Sequence, residues 1–372
     1  MKICVVTPLY AIAGVPLAQI RFARALADKG HDVDLLIGRI DPQYQLPDVT
    51  GVTVLKLNRG NVRGMLIPLW RYLRTSRPDV VFSAEDHLNT IVLLAAIASG
   101  SKAKISGSSR VTPFDTYSSV PFTKRWVLKQ LMGAVMWRAD ALTCVSKDMV
   151  EQYRRVFDSP PHVSVYNIVD DKHSRSRMEE PVEHDWFIRK EGPVLVAAGR
   201  LAPWKGFADL IHAMKELSRR RQVRLVILGD GPLRSDLEVL IVDLGLSEVV
   251  SLQGYVENPL RFFEGADVFV LSSHVEGLPN VLVEAMMCGC TPVSTDCPTG
   301  PREVLQDGKY GYLVPMRDPV ALAAGIEQAL DNPIPRELLA EAVRPFEEGA
   351  VIERHFEVLG LTVGDRLPRE ML

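Results

Sequence analysis

The sequence has few cysteines and no excess of either charge. Its five cysteines are scattered unevenly over 372 residues, which is typical of reduced thiols in the cytosol rather than of a disulfide scaffold. The cluster of Cys288, Cys290 and Cys297 lacks the closely paired cysteines of zinc sites, so packing in a helix–turn–strand is favoured. The net charge of −3 gives no basic footprint for nucleic acid. We therefore expect neither a structural zinc site nor a nucleic-acid partner.

Long hydrophobic runs are also absent. The longest, residues 91–98, is far shorter than the ~20 residues that a helix needs to span a bilayer. Residues 1–8 match one short strand and lack the pattern of a signal peptide. These features predict a cytoplasmic protein, which leaves open a peripheral position on the inner face of the cytoplasmic membrane.

Short apolar runs alternate with amphipathic helical patterns along most of the chain. A length of 372 residues exceeds one ordinary core, and both halves begin with the strand–loop–helix–strand order of a doubly wound α/β domain. Residues 171–192 are polar and lack strand periodicity, which is typical of a linker. The predicted parts are an N-terminal domain over 1–170, an interdomain linker over 171–192, a second domain over 193–345 and a tail over 346–372, with a helical pattern at 348–359.

One stretch, residues 271–315, carries most of the residues that suggest chemistry. It follows a predicted strand, and a Gly-Leu-Pro-Asn turn then leads into a helical pattern. Pro279 suits the first position of a helix, which would leave the next amides unpaired. Those amides belong to Asn280, Val281 and Leu282. Unpaired amides at the positive end of a helix predict a phosphate-binding site.

Two carboxylates flank this predicted site, Glu276 before the helix and Glu284 inside it. Their E-x7-E spacing resembles the motif of retaining, nucleotide-sugar-dependent glycosyltransferases of family 4, also called glycosyl transferases group 1. Three more blocks resemble the family in the same order: GRLAPWKG at 199–206, LGDGP at 228–232 and GYV at 254–256. The later block CPTGPREVLQDGKYGYLVP is similar to the branch that builds bacterial surface polysaccharides and lipid-linked oligosaccharides.

The resemblance implies an α/β protein of the GT-B fold, in which two doubly wound Rossmann-like domains face each other across a cleft. The first would bind the acceptor and the second the nucleotide sugar. It implies transfer, with retention, of a hexose or N-acetylhexosamine from a UDP-sugar, and we expect this transfer to be metal-independent because amides and basic side chains offset the phosphate charge. The acceptor would be a hydroxyl of a glycan or of a polyprenyl-diphosphate-linked glycan. We expect no cofactor and no metal, since the only D-x-D sequence, at 32–34, lies inside a strand pattern.

The family's functional residues correspond to motif positions in this chain. Arg200 offers a planar fork of donors and Lys205 a point charge, and the resemblance assigns both to the donor diphosphate. It assigns Glu276 to the sugar and to catalysis, and Glu284 to the ribose. The predicted catalytic residues are Glu276, Arg200 and Lys205. The predicted donor-binding residues are Gly14, Arg200, Lys205, Tyr255, Val256, Glu276, Gly277, Leu278, Asn280, Val281, Leu282 and Glu284.

The first domain departs from the family in one respect. Many relatives carry a histidine in the stretch that corresponds to residues 109–113, where this chain has Arg110 and Thr112. His87 follows an earlier predicted strand and is the nearest alternative. The residue of the first domain that contacts the sugar therefore stays open.

Three other functions are considered. A GT-B nucleotide-sugar epimerase shares the donor site, but the E-x7-E pair argues against it. A dinucleotide-dependent oxidoreductase is disfavoured because Gly229 and Gly231 begin a G-x-G-x-x-G pattern whose third glycine is replaced by Arg234. A non-catalytic nucleotide-sugar-binding subunit is disfavoured by the complete motif set.

The helical pattern at 122–138 has two unlike faces. Its predicted core stripe consists of Leu128, Leu131, Met132 and Val135. Trp126 and Trp137 lie on the other face, with basic residues along the flanks. Tryptophan beside lysine and arginine suits an interface with anionic lipid, so we expect peripheral membrane contact through this face. The alternative is that both tryptophans pack under neighbouring loops.

Overall fold

A computed structural model describes residues 1–11, 14–47, 49–362 and 364, and the chain forms two compact units. The first unit comprises Met1–Ile168 together with the C-terminal segment that begins at Glu348. The second unit is Val169–Glu347. The chain therefore passes from one unit to the other at two points, after Ile168 and after Glu347.

The first unit contains a seven-stranded parallel sheet with the order β3-β2-β1-β4-β5-β6-β7. Its strands are β1 (Lys2–Tyr10), β2 (Asp32–Ile40), β3 (Val52–Lys56), β4 (Val80–Ala84), β5 (Lys104–Ser109), β6 (Ala141–Cys144) and β7 (His162–Ser164). β1 is buried along most of its length because a central parallel strand is covered on both faces. The strand order reverses between β1 and β4, which creates a switch point where ligands bind in such sheets.

Helices of the first unit follow its strands. They are α1 (Gly14–Asp28), α2 (Leu66–Ser76), α3 (Asp86–Ser99), α4 (Pro113–Thr116), α5 (Lys124–Val135) and α6 (Lys147–Arg154). Short 3-10 turns precede α2 at Val62–Met65 and follow α5 at Met136–Arg138. The sequence 32–34 lies in β2 as predicted, and Asp34 is buried there, where it accepts a hydrogen bond of 2.6 Å from the Tyr72 hydroxyl.

The second unit repeats the doubly wound pattern with six parallel strands in the order β10-β9-β8-β11-β12-β13. These are β8 (Val194–Ala198), β9 (Arg224–Leu228), β10 (Val250–Gly254), β11 (Val268–Leu271), β12 (Thr291–Thr295) and β13 (Tyr312–Val314). Its helices are α7 (Lys172–Met178), α8 (Asp185–Ile188), α9 (Phe207–Leu217), α10 (Arg234–Asp243), α11 (Leu260–Gly265), α12 (Asn280–Met287), α13 (Pro301–Val304), α14 (Pro319–Asp331) and α15 (Arg336–Val343). The strand order reverses between β8 and β11, which are hydrogen-bonded neighbours.

The last helix, α16 (Glu348–Val358), belongs to the first unit although it follows the second unit in sequence. Ile352 and Phe356 are buried in the core that also contains Phe22 and Phe82. The ring of His355 lies 4.7 Å from that of Phe22, and its burial lowers the pKa of this histidine to about 3. The helical pattern in the predicted tail is thus a structural part of the N-terminal unit.

The predicted interdomain linker at 171–192 requires correction. Half of it is helical, as α7 and α8, and it belongs to the second unit. The side-chain amide of Asn258 donates 2.8 Å hydrogen bonds to the Arg177 carbonyl and to the Glu180 carboxylate. The polar side chains that suggested a flexible linker instead bond to the surface of the second unit and cap its helices. Asp171, for example, accepts the amide of Ser174 at 2.7 Å.

Cysteine, metal and membrane features agree with a packed α/β protein. All five cysteines are free and buried, and burial raises the pKa of the Cys297 thiol to about 12. Within the residues that the structure describes, no group of three or more His, Cys, Asp or Glu side chains is arranged to hold a metal ion. In the same part of the chain, every helix is too short or too polar to cross a bilayer.

Candidate active site

Two loops meet at the carboxyl ends of β8 and β11, at the switch point of the second sheet. Lys205 ends the 3-10 turn Pro203–Lys205 after β8, and Glu276 follows β11. Lys205 Nζ lies 2.6 Å from Glu276 Oε1, and the Ser273 hydroxyl donates to the same oxygen at 2.6 Å. The two charged side chains are only 17% and 10% exposed. The structure therefore joins two of the predicted catalytic residues in one largely buried ion pair.

Further bonds hold the two loops together. The Ser272 hydroxyl donates to the Lys205 carbonyl at 2.8 Å, and the His274 amide donates to the Trp204 carbonyl at 2.8 Å. The His274 ring nitrogen Nε2 lies 2.7 Å from Asp209 Oδ2 on α9. Sequence reasoning missed this His274–Asp209 pair because 65 positions separate the two residues. It orients the loop that presents Glu276.

Gly206 explains how closely these loops approach. Its φ is +64°, and a β-carbon there would lie 2.0 Å from the Ser272 carbonyl oxygen. No L side chain fits this geometry without moving one of the loops. The glycine that follows Lys205 in the GRLAPWKG block is therefore required by packing.

A third loop, after β12, supports the turn that follows Glu276. The Thr299 hydroxyl donates to the Glu276 carbonyl. Gly300 has a φ of +91°, and a β-carbon there would lie 2.6 Å from Pro279 Cδ and 2.9 Å from the Gly277 carbonyl oxygen. The block that begins CPTGP thus fixes the backbone of the Gly277–Pro279 turn. Sequence analysis used that block only for the family resemblance.

The start of α12 differs from the prediction. Pro279 has a ψ of 85°, so it precedes the helix and Asn280 is the first helical residue. The Asn280 amide donates to the Leu278 carbonyl at 3.0 Å and the Leu282 amide to the Pro279 carbonyl at 2.9 Å. The prediction that these two amides are unpaired is therefore wrong, because a tight turn uses them. Over the described parts of the chain, the Val281 amide alone of the three has no backbone acceptor.

Three motif blocks meet through their backbones at the ends of β8, β9 and β10. The hydrogen bonds run from Gly199 N–H to the Leu228 carbonyl at 2.9 Å, from Leu201 N–H to the Asp230 carbonyl at 3.0 Å and from Gly229 N–H to the Gly254 carbonyl at 2.7 Å. The structure therefore brings the GRLAPWKG, LGDGP and GYV blocks to one edge of the sheet. This is the edge where α/β proteins bind ligands.

The other predicted donor-binding residues of the second unit differ in exposure. Tyr255 is 55% exposed after β10, and Val256 beside it is half-buried. Gly277 and Leu278 are half-buried in the turn after Glu276, and Asn280, Val281 and Glu284 are half-buried on α12. The Leu282 side chain is fully buried. Each of these residues except Leu282 is therefore at least partly accessible to solvent.

Arg200 lies at the end of β8 with its side chain exposed. Among the described residues it forms no ion pair and no side-chain hydrogen bond. A guanidinium without a structural partner is available to bind a diphosphate, whose oxygens can accept hydrogen bonds from several N–H groups of the guanidinium.

Replacing Arg200 with alanine should weaken donor binding and change stability little. We expect a loss above ~1.5 kcal/mol, the scale of a hydrogen bond to a charged group. Titration calorimetry with the donor nucleotide measures this loss. Arg219→Ala is the matched control, because Arg219 is also exposed and, among the described residues, its ion-pair partner is Glu216 near the end of α9. Equal affinity in the Arg200→Ala variant and the native protein would remove Arg200 from the donor site.

Gly14 belongs to the first unit, where it begins α1 and lines a cavity of about 460 Å³. Glu85 lines the same cavity with an unusual φ of +81°, and burial raises the pKa of its carboxyl. Arg110, at the position where many relatives have histidine, donates to the Asn167 side-chain oxygen. Burial lowers the pKa of Arg110 to about 10. His87 is exposed and lines a different cavity.

Comparison with known proteins identifies the family. Residues 179–346 match the sequence profile described as Glycosyl transferases group 1, and residues 14–167 match that of a Glycosyl transferase 4-like domain. A Campylobacter jejuni protein, N-acetylgalactosamine-N,N'-diacetylbacillosaminyl-diphospho-undecaprenol 4-alpha-N-acetylgalactosaminyltransferase, is 30% identical over 257 residues, which are 68% of this chain and 67% of that protein. The chain belongs to the glycosyl transferases group 1 family. It is therefore a glycosyltransferase.

Two further likenesses extend over more of the chain. Another C. jejuni protein, GalNAc-alpha-(1->4)-GalNAc-alpha-(1->3)-diNAcBac-PP-undecaprenol alpha-1,4-N-acetyl-D-galactosaminyltransferase, is 27% identical over 349 residues, or 89% of each chain. The lipopolysaccharide outer core galactosyltransferase WaaB has a similar fold, with a TM-score of 0.72 at 17% identity over 97% of this glycosyltransferase and 99% of WaaB. The GT-B fold is confirmed, and none of these relatives is an epimerase.

Proposed function

We propose that this glycosyltransferase moves a hexose or N-acetylhexosamine, with retention, from a UDP-sugar to a hydroxyl of a polyprenyl-diphosphate-linked glycan. The observation that carries the proposal is the largely buried Lys205–Glu276 pair at the switch point of the second sheet. The acceptor class is supported by the names of the two C. jejuni relatives, both of which include an undecaprenol-linked glycan. The UDP-sugar and retention rest on the family resemblance of the motif blocks.

The chemistry of transfer suits these residues. The bond between sugar C1 and the donor diphosphate breaks, and a bond from C1 to the acceptor oxygen forms on the same face. The acceptor proton passes to an oxygen of the departing diphosphate, so no separate base is needed. Arg200 and Lys205 offset the charge that develops on the diphosphate, and Glu276 accepts hydrogen bonds from the sugar hydroxyls.

A donor screen followed by an acceptor assay tests this function. Thermal shift with UDP- and GDP-sugars should select a UDP-sugar, because bound ligand raises the melting temperature by mass action. The selected donor is then incubated with polyprenyl-diphosphate-linked glycans, and mass spectrometry should detect one added sugar. Preference for GDP-sugars would refute the donor assignment. Transfer only to glycans that lack a lipid would refute the acceptor assignment.

We also propose that transfer needs no divalent metal, since Arg200, Lys205 and backbone groups already face the donor edge of the sheet. Sugar transfer should therefore persist in excess EDTA at a rate close to that without chelator. The assay follows release of the free nucleotide with acceptor present. Loss of activity in EDTA that manganese or magnesium restores would contradict this prediction, because it would assign charge neutralisation to the metal.

Contact with an anionic membrane is proposed through α5 and the turn after it. Trp137 is 67% exposed, and Trp126 is half-buried with its ring 5.6 Å from that of Phe122, which is itself 89% exposed. Lys124 and Arg125 are exposed at the start of the same helix. Aromatic rings and cations on one surface suit the headgroup region of an anionic bilayer.

The variant Trp126→Ala/Trp137→Ala should lose most binding to vesicles of anionic lipid. The native protein should sediment with them, more weakly at high salt because exposed charges are screened. Trp204→Ala is the control, since Trp204 is 48% exposed but lies in the second unit. Vesicle binding that is equal in the native protein and the double variant would rule out this surface, provided that the melting temperatures agree.

A further inference from the structure

The first unit contains an open cavity whose wall is mainly aliphatic, lined from α3 and α5; we call it the α3–α5 groove. Its volume is about 410 Å³. Small-molecule sites have volumes of roughly 300–1,000 Å³, so the groove is large enough for part of a ligand. The aliphatic lining consists of Val62, Ile91, Leu94, Val111, Val127, Leu128 and Leu131.

The groove exists because α5 has a wider apolar face than the core covers. Met132 and Val135 are buried, as the core stripe predicts. Leu131 is instead 45% exposed and Val127 is 41% exposed, so the prediction that Leu131 is a core residue is wrong. Leaving aliphatic surface in water costs about 25 cal/mol for each Å². A contiguous aliphatic surface of this kind is typical of a site that an apolar ligand covers.

Cations lie beside the aliphatic wall. Arg63, Lys124 and Arg125 line the groove and are exposed, and Asp115 is the only carboxylate in the described lining. Across the described parts of the chain, Arg63 and Lys124 form no ion pair, while Arg125 donates to the Phe114 carbonyl. The groove therefore combines an apolar wall with a net positive charge, which complements an amphiphile that carries an anionic group.

A second cavity adjoins the groove, and its lining includes four polar side chains. It is the cavity of about 460 Å³ that contains Gly14, and the two cavities share Val62, the first residue of a 3-10 turn. Arg39, Asn61 and Glu85 line this second cavity at the carboxyl edge of the first sheet. The aliphatic groove with its cations and the second cavity with its polar side chains thus adjoin each other at Val62 on the first unit.

We propose that the α3–α5 groove binds the isoprenoid units nearest the diphosphate of the lipid-linked acceptor. Arg63 and Lys124 pair with the diphosphate, and the glycan extends past Val62 into the second cavity, where Arg39, Asn61 and Glu85 can bond to its hydroxyls. Such a lipid carries an aliphatic tail, a diphosphate and a glycan, and the two adjoining cavities offer an aliphatic wall, cations and polar side chains for them. This inference rests on the proposed acceptor class and adds to it a binding site for the lipid itself.

Binding of a short isoprenoid diphosphate tests the groove without sugar transfer. Geranylgeranyl diphosphate is titrated into the full chain in detergent-free buffer, with saturating UDP to block diphosphate binding at Arg200 and Lys205. The parallel arms use geranylgeraniol and inorganic diphosphate. The groove variants are Leu131→Gln, Val127→Gln and Arg63→Gln/Lys124→Gln. Ile97→Gln is the control, because Ile97 is 38% exposed on α3 but does not line the groove.

The native protein and Ile97→Gln should bind geranylgeranyl diphosphate alike. Each of Leu131→Gln and Val127→Gln should weaken that binding about tenfold, since a polar amide replaces buried aliphatic contact. The double cation variant should bind geranylgeranyl diphosphate no more tightly than it binds geranylgeraniol. If one of the variants Leu131→Gln and Val127→Gln has a lowered melting temperature, the other one alone is used to test the groove.

Two results would overturn the groove assignment. One is equal affinity for geranylgeranyl diphosphate in the native protein and both polar variants. The other is native binding of inorganic diphosphate as tight as that of geranylgeranyl diphosphate, which would leave the aliphatic wall without a role. Failure of the proposed function would give a different result. Geranylgeranyl diphosphate would still bind, and the groove variants would still weaken that binding, even if the enzyme glycosylated no lipid-linked glycan.

Discussion

Lys205→Ala is expected to lower kcat/KM for sugar transfer by at least about 100-fold, the effect of removing one preorganised group that stabilises charge in a transition state. The variant loses the cation that we propose offsets the charge of the donor diphosphate. It also leaves the Glu276 carboxylate, which is only 10% exposed, without its 2.6 Å partner and close to an incoming anion. Both changes oppose donor binding and transfer.

Steady-state kinetics with the donor selected by thermal shift measures this loss. Lys190→Ala is the matched control: Lys190 pairs with Asp267 at 2.9 Å in the same unit, but both side chains are far more exposed. Exposed pairs of this kind contribute at most about 1 kcal/mol, so the control should keep near-native activity. A Lys205→Ala enzyme within a few-fold of the native rate would show that the pair has only a structural role.

Gly206→Ala is expected to destabilise the second unit and to remove activity at the same time. A left-handed conformation costs an alanine about 1–2 kcal/mol, and an overpacked contact adds about 1–3 kcal/mol. Gly206 combines both costs, because its β-carbon would lie 2.0 Å from the Ser272 carbonyl oxygen. Relief of this clash moves Lys205 away from Glu276, so transfer falls with stability.

Gly245→Ala separates the two costs. Gly245 lies in the same unit with a φ of +67°, but a β-carbon there meets nothing within 4 Å. It should therefore lose only the conformational part, and its activity should remain. Urea denaturation of the two variants measures the difference in the midpoint of unfolding. If both variants unfold at the same urea concentration, the contact between the loops is not tight in solution.

Short-range sequence signals predicted the fold, and they singled out two residues, Lys205 and Glu276, whose functional roles stay predictions. Continuous apolar strands and glycine-bounded helices indicate doubly wound domains because they depend on neighbouring residues. Lys205 and Glu276 were identified through their motif blocks, and the structure joins them directly. The predicted roles of Arg200 and Glu284 stay predictions until a donor complex or the variant kinetics test them.

The wrong predictions share a physical cause. Each concerns a feature that depends on partners distant in sequence or on backbone dihedral angles. Asn258 bonds the predicted linker to the rest of the second unit, yet it lies about 80 positions from the residues that it binds. The pairing of the Asn280 amide follows from the ψ of Pro279, which no residue pattern fixes. Leu131 lines a groove because the core beneath α5 is filled by Met132 and Val135, and only three-dimensional packing reveals that.

The first unit is built from two separate segments of the chain, Met1–Ile168 and the segment that begins at Glu348. This has a consequence for synthesis on the ribosome. Because α16 supplies Ile352 and Phe356 to the core around Phe22, that core is incomplete until the second unit and α16 have both been made. The second unit is continuous in sequence, so all of its residues emerge earlier. Domains fold as units during translation. The half of the enzyme that contains Lys205 and Glu276 therefore matures first, and a chain released before α16 leaves the first half exposed to aggregation and proteolysis.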